Sequence, residues 1–265
     1  MTILDKIIDF KRSEIDSLKK YISYSDLEKY PNFNNTTTSL KERIKKNYFG
    51  IIAEHKRMSP SKSIINSHSN LDEIINGYTS AGVSGISVLT DKKYFGGSNE
   101  DIINANKLTD LPILRKEFII DEIQIVEAKA LGADAILLIS SCLDKNLLKS
   151  FSECAKNLNL EVLVEIHSLK ELKNCLLQTV DIIGVNNRNL KTFEVDTKTS
   201  KDLSKYIPEE FTKISESGIS STEEIYELQN FGYDGFLIGE NFMKSENPAL
   251  AILNFMNELR GSKWI

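Results

Sequence analysis

At 265 residues, with 41% apolar and 27% charged side chains, the chain has the composition of an ordinary soluble globular protein and is long enough to bury one large core. Its 33 basic and 38 acidic residues leave a net charge of −5, which gives no general attraction for nucleic acid or an anionic membrane and makes a small molecule the expected partner. Cys142, Cys154 and Cys175 are odd in number and make no C-x-x-C pair, so they support neither a disulfide framework nor a zinc site and read as buried small apolar residues in a reducing compartment.

The first residues, MTILDKIIDFKRSEI, mix charges at every turn and lack the apolar block of a signal peptide or spanning helix, so a cytoplasmic protein is expected. From Ile3 to Lys20 apolar residues fall at 3, 7, 8, 15 and 18, the spacing of an amphipathic helix with one face to bury. Ser25 with Glu28 is the expected cap of a short second helix, and Ser39 with Glu42, at capping-box spacing, that of a third. The basic run Lys41 to Lys46 reads as a solvated face. A single domain over 1–265 is expected, with a helical extension over 1–48 packed on the main body, because those apolar faces have no other partner.

Beyond residue 50 short β-rich runs recur: Ile51–Ala53, Ile86–Leu89, Ile113–Leu114, Ala135–Ile139, Val162–Ile166, Ile182–Val185, Lys213–Ser215 and Phe236–Ile238. Their starts lie 20 to 35 residues apart, enough for a crossover helix in each gap. Helical patterns sit at Leu71–Tyr78, Glu122–Leu131, Leu143–Leu158, Ser168–Leu177 and Ser221–Phe231, and Gly82, Gly132 and Gly232 read as left-handed helix ends. Eight βα units in this length predict a (β/α)8 TIM barrel with extra N-terminal helices. The alternative, an open doubly wound sheet, would normally place a glycine-rich phosphate loop after its first strand, where this chain reads Met58-Ser59-Pro60-Ser61.

In such a barrel chemistry sits at the C-terminal strand ends. Glu54 and Lys56 end the first strand on one face, followed by Ser59-Pro60-Ser61, a turn with hydroxyls suited to an anion. Arg115-Lys116-Glu117 ends the third strand, Glu165 the fifth, Asn186-Asn187-Arg188 the sixth and Ser215-Glu216-Ser217-Gly218 the seventh. Alternation puts Lys116, Glu165 and Asn186 on the inward face, so lysines and carboxylates are expected to converge and shift one another's proton affinities. Ser217-Gly218 and Gly239-Glu240 occupy the two loops that often hold phosphate, while Phe95, Phe118, Leu137 and Leu190 could hold an aromatic ring. His55 has the parity of the helix layer, His68 lies in a polar helix approach and His167 follows the fifth strand; none is expected to be catalytic. No metal motif or nucleotide fingerprint appears, so no cofactor is implied.

These segments together, IIAEHKRMSPSKS, SVLTDKKYFGGS, LPILRKEFIIDEIQI, VLVEIH, IIGVNNRNL, ISESGI and DGFLIGENFM, in this order and over essentially the whole chain, resemble the indole-3-glycerol-phosphate synthase family. Ser63 stands where that family usually has glycine, which bears on the loop after the first strand, and His55 fills a variable slot. The isomerase domain fused to some members is expected to be absent. The resemblance implies cofactor-free conversion of 1-(2-carboxyphenylamino)-1-deoxyribulose 5-phosphate to indole-3-glycerol phosphate, carbon dioxide and water, by a monomer. It implies Lys116 as general acid, Glu165 and Lys56 in later proton transfer, Glu54 holding Lys56, and Asn186 on the sugar hydroxyls or reacting oxygens. Arg188, Glu216 and Pro60 would meet other parts of the substrate, and Lys56, Ser59, Ser217, Gly218, Gly239 and Glu240 would surround its phosphate, with the Glu240 carboxylate turned away. Three rivals remain: a phosphoribosylanthranilate isomerase with a strand-end cysteine and aspartate, a Schiff-base aldolase, and a catalytically silent binding barrel.

Overall fold

Eight parallel strands close into a barrel in chain order in this computed structural model, which describes residues 2–62, 64–66 and 70–261. Ser63 and His68 lie outside the described residues. Three helices come first, α1 (Ile3–Leu18), α2 (Tyr24–Leu27) and α3 (Leu40–Lys46). The barrel then runs β1 (Gly50–His55), α4 (Leu71–Ala81), β2 (Gly85–Leu89), α5 (Lys92–Phe95), α6 (Asn99–Leu108), β3 (Ile113–Lys116), α7 (Glu122–Leu131) and β4 (Ala135–Ile139). After a 3-10 turn at Ser140–Cys142 it continues with α8 (Lys145–Asn157), β5 (Glu161–Ile166), α9 (Leu169–Cys175), β6 (Ile182–Asn186) and α10 (Lys198–Ser204). It ends with β7 (Thr212–Glu216), α11 (Thr222–Asn230), β8 (Gly235–Ile238), α12 (Glu240–Met243) and α13 (Pro248–Gly261). Closure is made at β1, where Ala53 stands opposite Ile86 of β2 on one side and Ile238 of β8 on the other.

Alternation along each strand divides the apolar residues into two layers. Ile52, Leu114, Leu137, Leu163, Ile214 and Leu237 fill the barrel interior. Their neighbours Ile51, Ile86, Ile113, Val164 and Phe236 face the helix ring in a larger outer core. The N-terminal end is plugged by α3, whose Leu40 and Ile44 are fully buried among the inner residues. Glycines at the strand starts make the room: a Cβ on Gly50 would lie 2.7 Å from Ile44, and one on Gly85 2.4 Å from Leu40. On the flank, Ile15 of α1 and Leu27 of α2 pack with Ile123, Val126 and Ala130 of α7. Lys11 of α1, 5% exposed, sets its ammonium 3.0 Å from Asp91 and 3.1 Å from Glu117, tying this helix to the loops after β2 and β3.

Several local expectations need correction. The second helix is capped by Ser23 and Asp26, not Ser25 and Glu28: Asp26 N–H donates to the Ser23 hydroxyl at 3.3 Å and Ser23 N–H to Asp26 at 3.1 Å. The helix has only four residues, and burial of Leu27 against α7 decides which serine can serve. Ser39 accepts from Glu42 N–H at 3.0 Å but turns its own proton to Glu161 at the start of β5, so the cap doubles as a tether of the plug. Only Cys175 is buried; Cys142 and Cys154 are half-buried and pack at the edge of the outer core. α6 went unanticipated because NEDIINANKL is mostly polar; a Ser98–Asp101 capping box starts it, and Arg57 grips Asp101 at 2.6 and 2.9 Å. Gly82, Gly132 and Gly232 do adopt the left-handed conformation at helix ends, at φ 73°, 93° and 80°.

Candidate active site

The strands extend past the apolar runs that signal them, and the added residues are the polar ones. β1 carries Glu54 and β3 carries Lys116 within hydrogen-bonded strand, paired in register with Ser87 and Leu89 of β2. Side chains held this way have little freedom, which suits a site that must keep its geometry. They open into a cavity of about 410 Å³ at the C-terminal face of the barrel.

At its floor the charges alternate. The Lys56 ammonium lies 2.7 Å from Glu54 Oε1, and Lys116 Nζ lies 3.5 Å from Glu54 Oε2, 2.5 Å from Glu216 Oε2 and 3.9 Å from Glu165 Oε2. Glu54, Glu165 and Glu216 are all buried. Burial alone would discharge Lys116, but Glu216, Glu54 and Glu165 outweigh it and hold the ammonium well above the ordinary lysine range. Burial would likewise raise Glu54, yet Lys56 and then Lys116 bring it below the usual carboxylate value. Glu216 goes the other way: burial pushes it up to about 7, with Lys116 opposing and Glu165 adding. Two glycines make this packing possible. A Cβ on Gly184 would fall 2.2 Å from Glu216 Oε1, and one on Gly239 2.6 Å from Glu54 Oε1.

One wall is aromatic and aliphatic, with Phe95 and Phe118 at a centroid distance of 5.9 Å and Leu137, Leu190 and Pro60 nearby on the lining. Ser59, Ser217, Gly218, Gly239 and Glu240 add polar groups to the same lining. Ser217 and Gly218 both have left-handed backbone, φ 67° and 77°, and Asn187 fixes that turn by donating to Ser217 O at 3.0 Å. The Glu240 carboxylate faces cations, 2.6 Å from Lys62 and 3.3 Å from Arg188, and these lower its proton affinity against the effect of burial. Asn186 reaches the cavity while its Oδ1 accepts Arg188 N–H at 2.9 Å.

The structure therefore brings Glu54, Lys56, Lys116, Glu165, Asn186 and Arg188 to one cavity, together with every other residue singled out for it except Glu216. Glu216 is 1% exposed and lies beneath Lys116, off the cavity lining. Arg115 parts company with Lys116, turning to the helix layer to pair with Glu127 at 2.6 Å, whereas Glu117 stays on the cavity lining and accepts from Thr90 at 2.8 Å. His55 faces the helix layer as its parity requires, buried and without a hydrogen-bond partner on its ring among the described residues. Sequence reasoning missed Ile3, Leu4 and Ile7 of α1, which form part of the wall, and Asn241 of α12 with Lys244 at its C-terminal end. The apolar spacing of α1 was visible, but not what it would cover.

A closed parallel barrel with an ion cluster fixed at its C-terminal mouth, beside an aromatic wall and two turn-rich loops, defines a (β/α)8-barrel enzyme built for acid–base chemistry. Solved structures agree on the fold: the tryptophan synthase complex of Pyrococcus furiosus superposes with a TM-score of 0.60 at 16% identity, covering 80% of this chain and 98% of that one. Thiamine phosphate pyrophosphorylase from the same organism superposes at 0.59 with 14% identity, covering 84% and 96%. The sequence model of the family indole-3-glycerol phosphate synthase matches residues 4–255. An indole-3-glycerol phosphate synthase of Bacteroides thetaiotaomicron is 45% identical over 258 residues, 97% of this chain and 99% of its own length. That of Caldanaerobacter subterraneus subsp. tengcongensis is 44% identical over 260 residues, 98% and 99%. The chain belongs to the indole-3-glycerol phosphate synthase family, carboxy-lyases of tryptophan biosynthesis.

Proposed function

We propose that the cavity binds 1-(2-carboxyphenylamino)-1-deoxyribulose 5-phosphate with its ring against Phe95, Phe118, Leu137 and Leu190 and its phosphate among Lys56, Ser59, Ser217, Gly218, Gly239 and the backbone of Glu240. The observation that carries the reading is the Lys116 ammonium, anchored by three carboxylates in a cavity that also holds the aromatic pair Phe95 and Phe118 and the polar loops after β7 and β8. Attack of the ring carbon on the ketone puts negative charge on its oxygen, and a fixed ammonium there lowers the barrier before donating its proton. Loss of carbon dioxide returns an electron pair to the ring system. Loss of the hydroxyl as water then needs one proton delivered and another removed, work for Lys56 and Glu165. Glu54 holds Lys56 in place, and Glu216 holds Lys116 in place and charged from below. Asn186 and Arg188 hold the sugar hydroxyls.

The carbons and electrons balance without an external oxidant or reductant, so the reading calls for no cofactor. An aldolase of the Schiff-base kind needs a free amine, whereas the carboxylates hold Lys116 as an ammonium. We place the enzyme in the cytoplasm as a monomer; no helix among the described residues is long and apolar enough to cross a membrane. Purified protein given this substrate should develop indole absorbance with release of one carbon dioxide per turnover, and a protein that binds the substrate without releasing carbon dioxide would overturn the reading.

A further inference from the structure

Glu165 has a second neighbour on the side away from Lys116. His167 continues the inward parity of β5 just past the strand end at Ile166, with Nε2 3.6 Å from Glu165 Oε1 and Nδ1 3.5 Å from Glu171 Oε2. Glu171 is itself fixed, because its Oε2 accepts the backbone N–H of His167 at 2.6 Å. Both ring nitrogens are buried, and neither has a hydrogen-bond partner among the described residues. A neutral imidazole carries one N–H and would turn a lone pair toward one of the two carboxylates; an imidazolium offers an N–H to each. Burial works against that charge, but Glu171 and Glu165, with Glu216 farther off, raise the ring above its ordinary 6.5. From the 3-10 turn the remaining titratable neighbour is Cys142, whose thiol burial and Glu165 push up to about 12, so it adds no charge at neutral pH. The two oxygens of Glu165 thus face different cations, Oε1 toward His167 and Oε2 toward Lys116 at 3.9 Å.

We propose that His167 is a positioning residue for Glu165: clamped as an imidazolium between Glu171 and Glu165, it fixes the turn of the Glu165 carboxylate and balances its charge. The proposal rests on the reading of Glu165 as a proton-transfer group. It explains how the cluster tolerates three buried carboxylates around Lys116 and Lys56 while Glu171 adds a fourth nearby negative charge, since the imidazolium supplies the third cation.

Two measurements test it. Nitrogen-15 NMR of the wild-type imidazole needs no substrate, and it should show His167 titrating above 6.5; a ring that titrates at or below that value overturns the proposal. For kinetics, His167→Asn and Glu171→Gln should both lower kcat, roughly ten- to a hundredfold for His167→Asn, with KM little changed, as expected when a catalytic group is misplaced and substrate binding is left intact. Gln at 171 still accepts the backbone N–H, so α9 keeps its cap and only the charge is removed. The acid limb of the kcat profile should move to higher pH in His167→Asn, because a carboxylate facing one cation fewer holds its proton more tightly, whereas Glu171→Gln takes an anion from the ring and should lower the pH at which the imidazole titrates. A packing role would leave both where they are, and an unmoved limb in folded His167→Asn, or an imidazole that titrates in Glu171→Gln as it does in wild type, overturns the proposal. Should His167→Asn fail to fold, Glu171→Gln and the wild-type titration still decide. A wild-type enzyme that fails to turn over the substrate would instead strike at the synthase reading, and the NMR titration would stand apart from that failure.

Discussion

Replacing Lys116 with Met removes the ammonium and keeps the stem. Lys116 Nζ is the common partner of Glu216, Glu54 and Glu165, so its loss leaves carboxylates of 1%, 4% and 4% exposure facing one another. Breaking a buried ion pair from one side ordinarily costs about 3–5 kcal/mol. Here the penalty at neutral pH should fall at or below the bottom of that range, because Glu216 is already raised to about 7 and can become neutral by taking up one proton. The destabilisation should then grow with pH above 7, as that proton is harder to retain. Turnover should fall roughly 10²–10⁴-fold, since the cation acts on charge that develops only in the transition state, while KM changes little. Denaturant unfolding at several pH values reads the first effect, and steady-state indole formation reads the second. Turnover within about tenfold of wild type, well short of that range, would refute the assignment and move the first proton donor to Lys56.

Gly184→Ala should misplace Glu216 without touching the cavity, because the new Cβ would lie 2.2 Å from Glu216 Oε1; kcat should drop about tenfold or more at nearly constant KM, and an unaffected kcat would mean Glu216 does not hold Lys116. Gly218→Val should raise KM and weaken inhibition by inorganic phosphate together, since φ is 77° there and a Cβ would meet Val195 at 2.2 Å; phosphate inhibition equal to wild type would place the anion elsewhere. His55→Leu should flatten the acid side of the stability curve. Burial and Arg57 depress His55 to about 4 from 6.5, so between those values the unfolded chain binds a proton that the folded one refuses. Stability is then lost as pH falls through this window, by about 3 kcal/mol in full. Denaturant midpoints at pH 7 and pH 4.5 that fall equally in wild type and variant would count against this account.

Much of the site was legible in the chain because strand periodicity is local. Once β1, β3, β5 and β6 are recognised from their β-rich runs, period-two alternation assigns Glu54, Lys116, Glu165 and Asn186 to the inward face with no knowledge of what lies opposite. Capping boxes and left-handed glycines are equally local, although Ser23 displaced Ser25 where burial of Leu27 chose between two serines. The partner of each charge is another matter. Lys116 and Glu216 stand 100 residues apart and meet only because the barrel closes and Gly184 leaves a gap for the carboxylate. The same holds for Ile3, Leu4 and Ile7, whose helical spacing shows a face to bury but not that the face roofs the cavity. It holds too for His167, which parity alone places inward and only the fold sets between Glu165 and Glu171. Backbone hydrogen bonding repeats every two or four residues and so writes itself into sequence, whereas the distance between two side chains on different strands depends on closure, register and the volume of whatever lies between them.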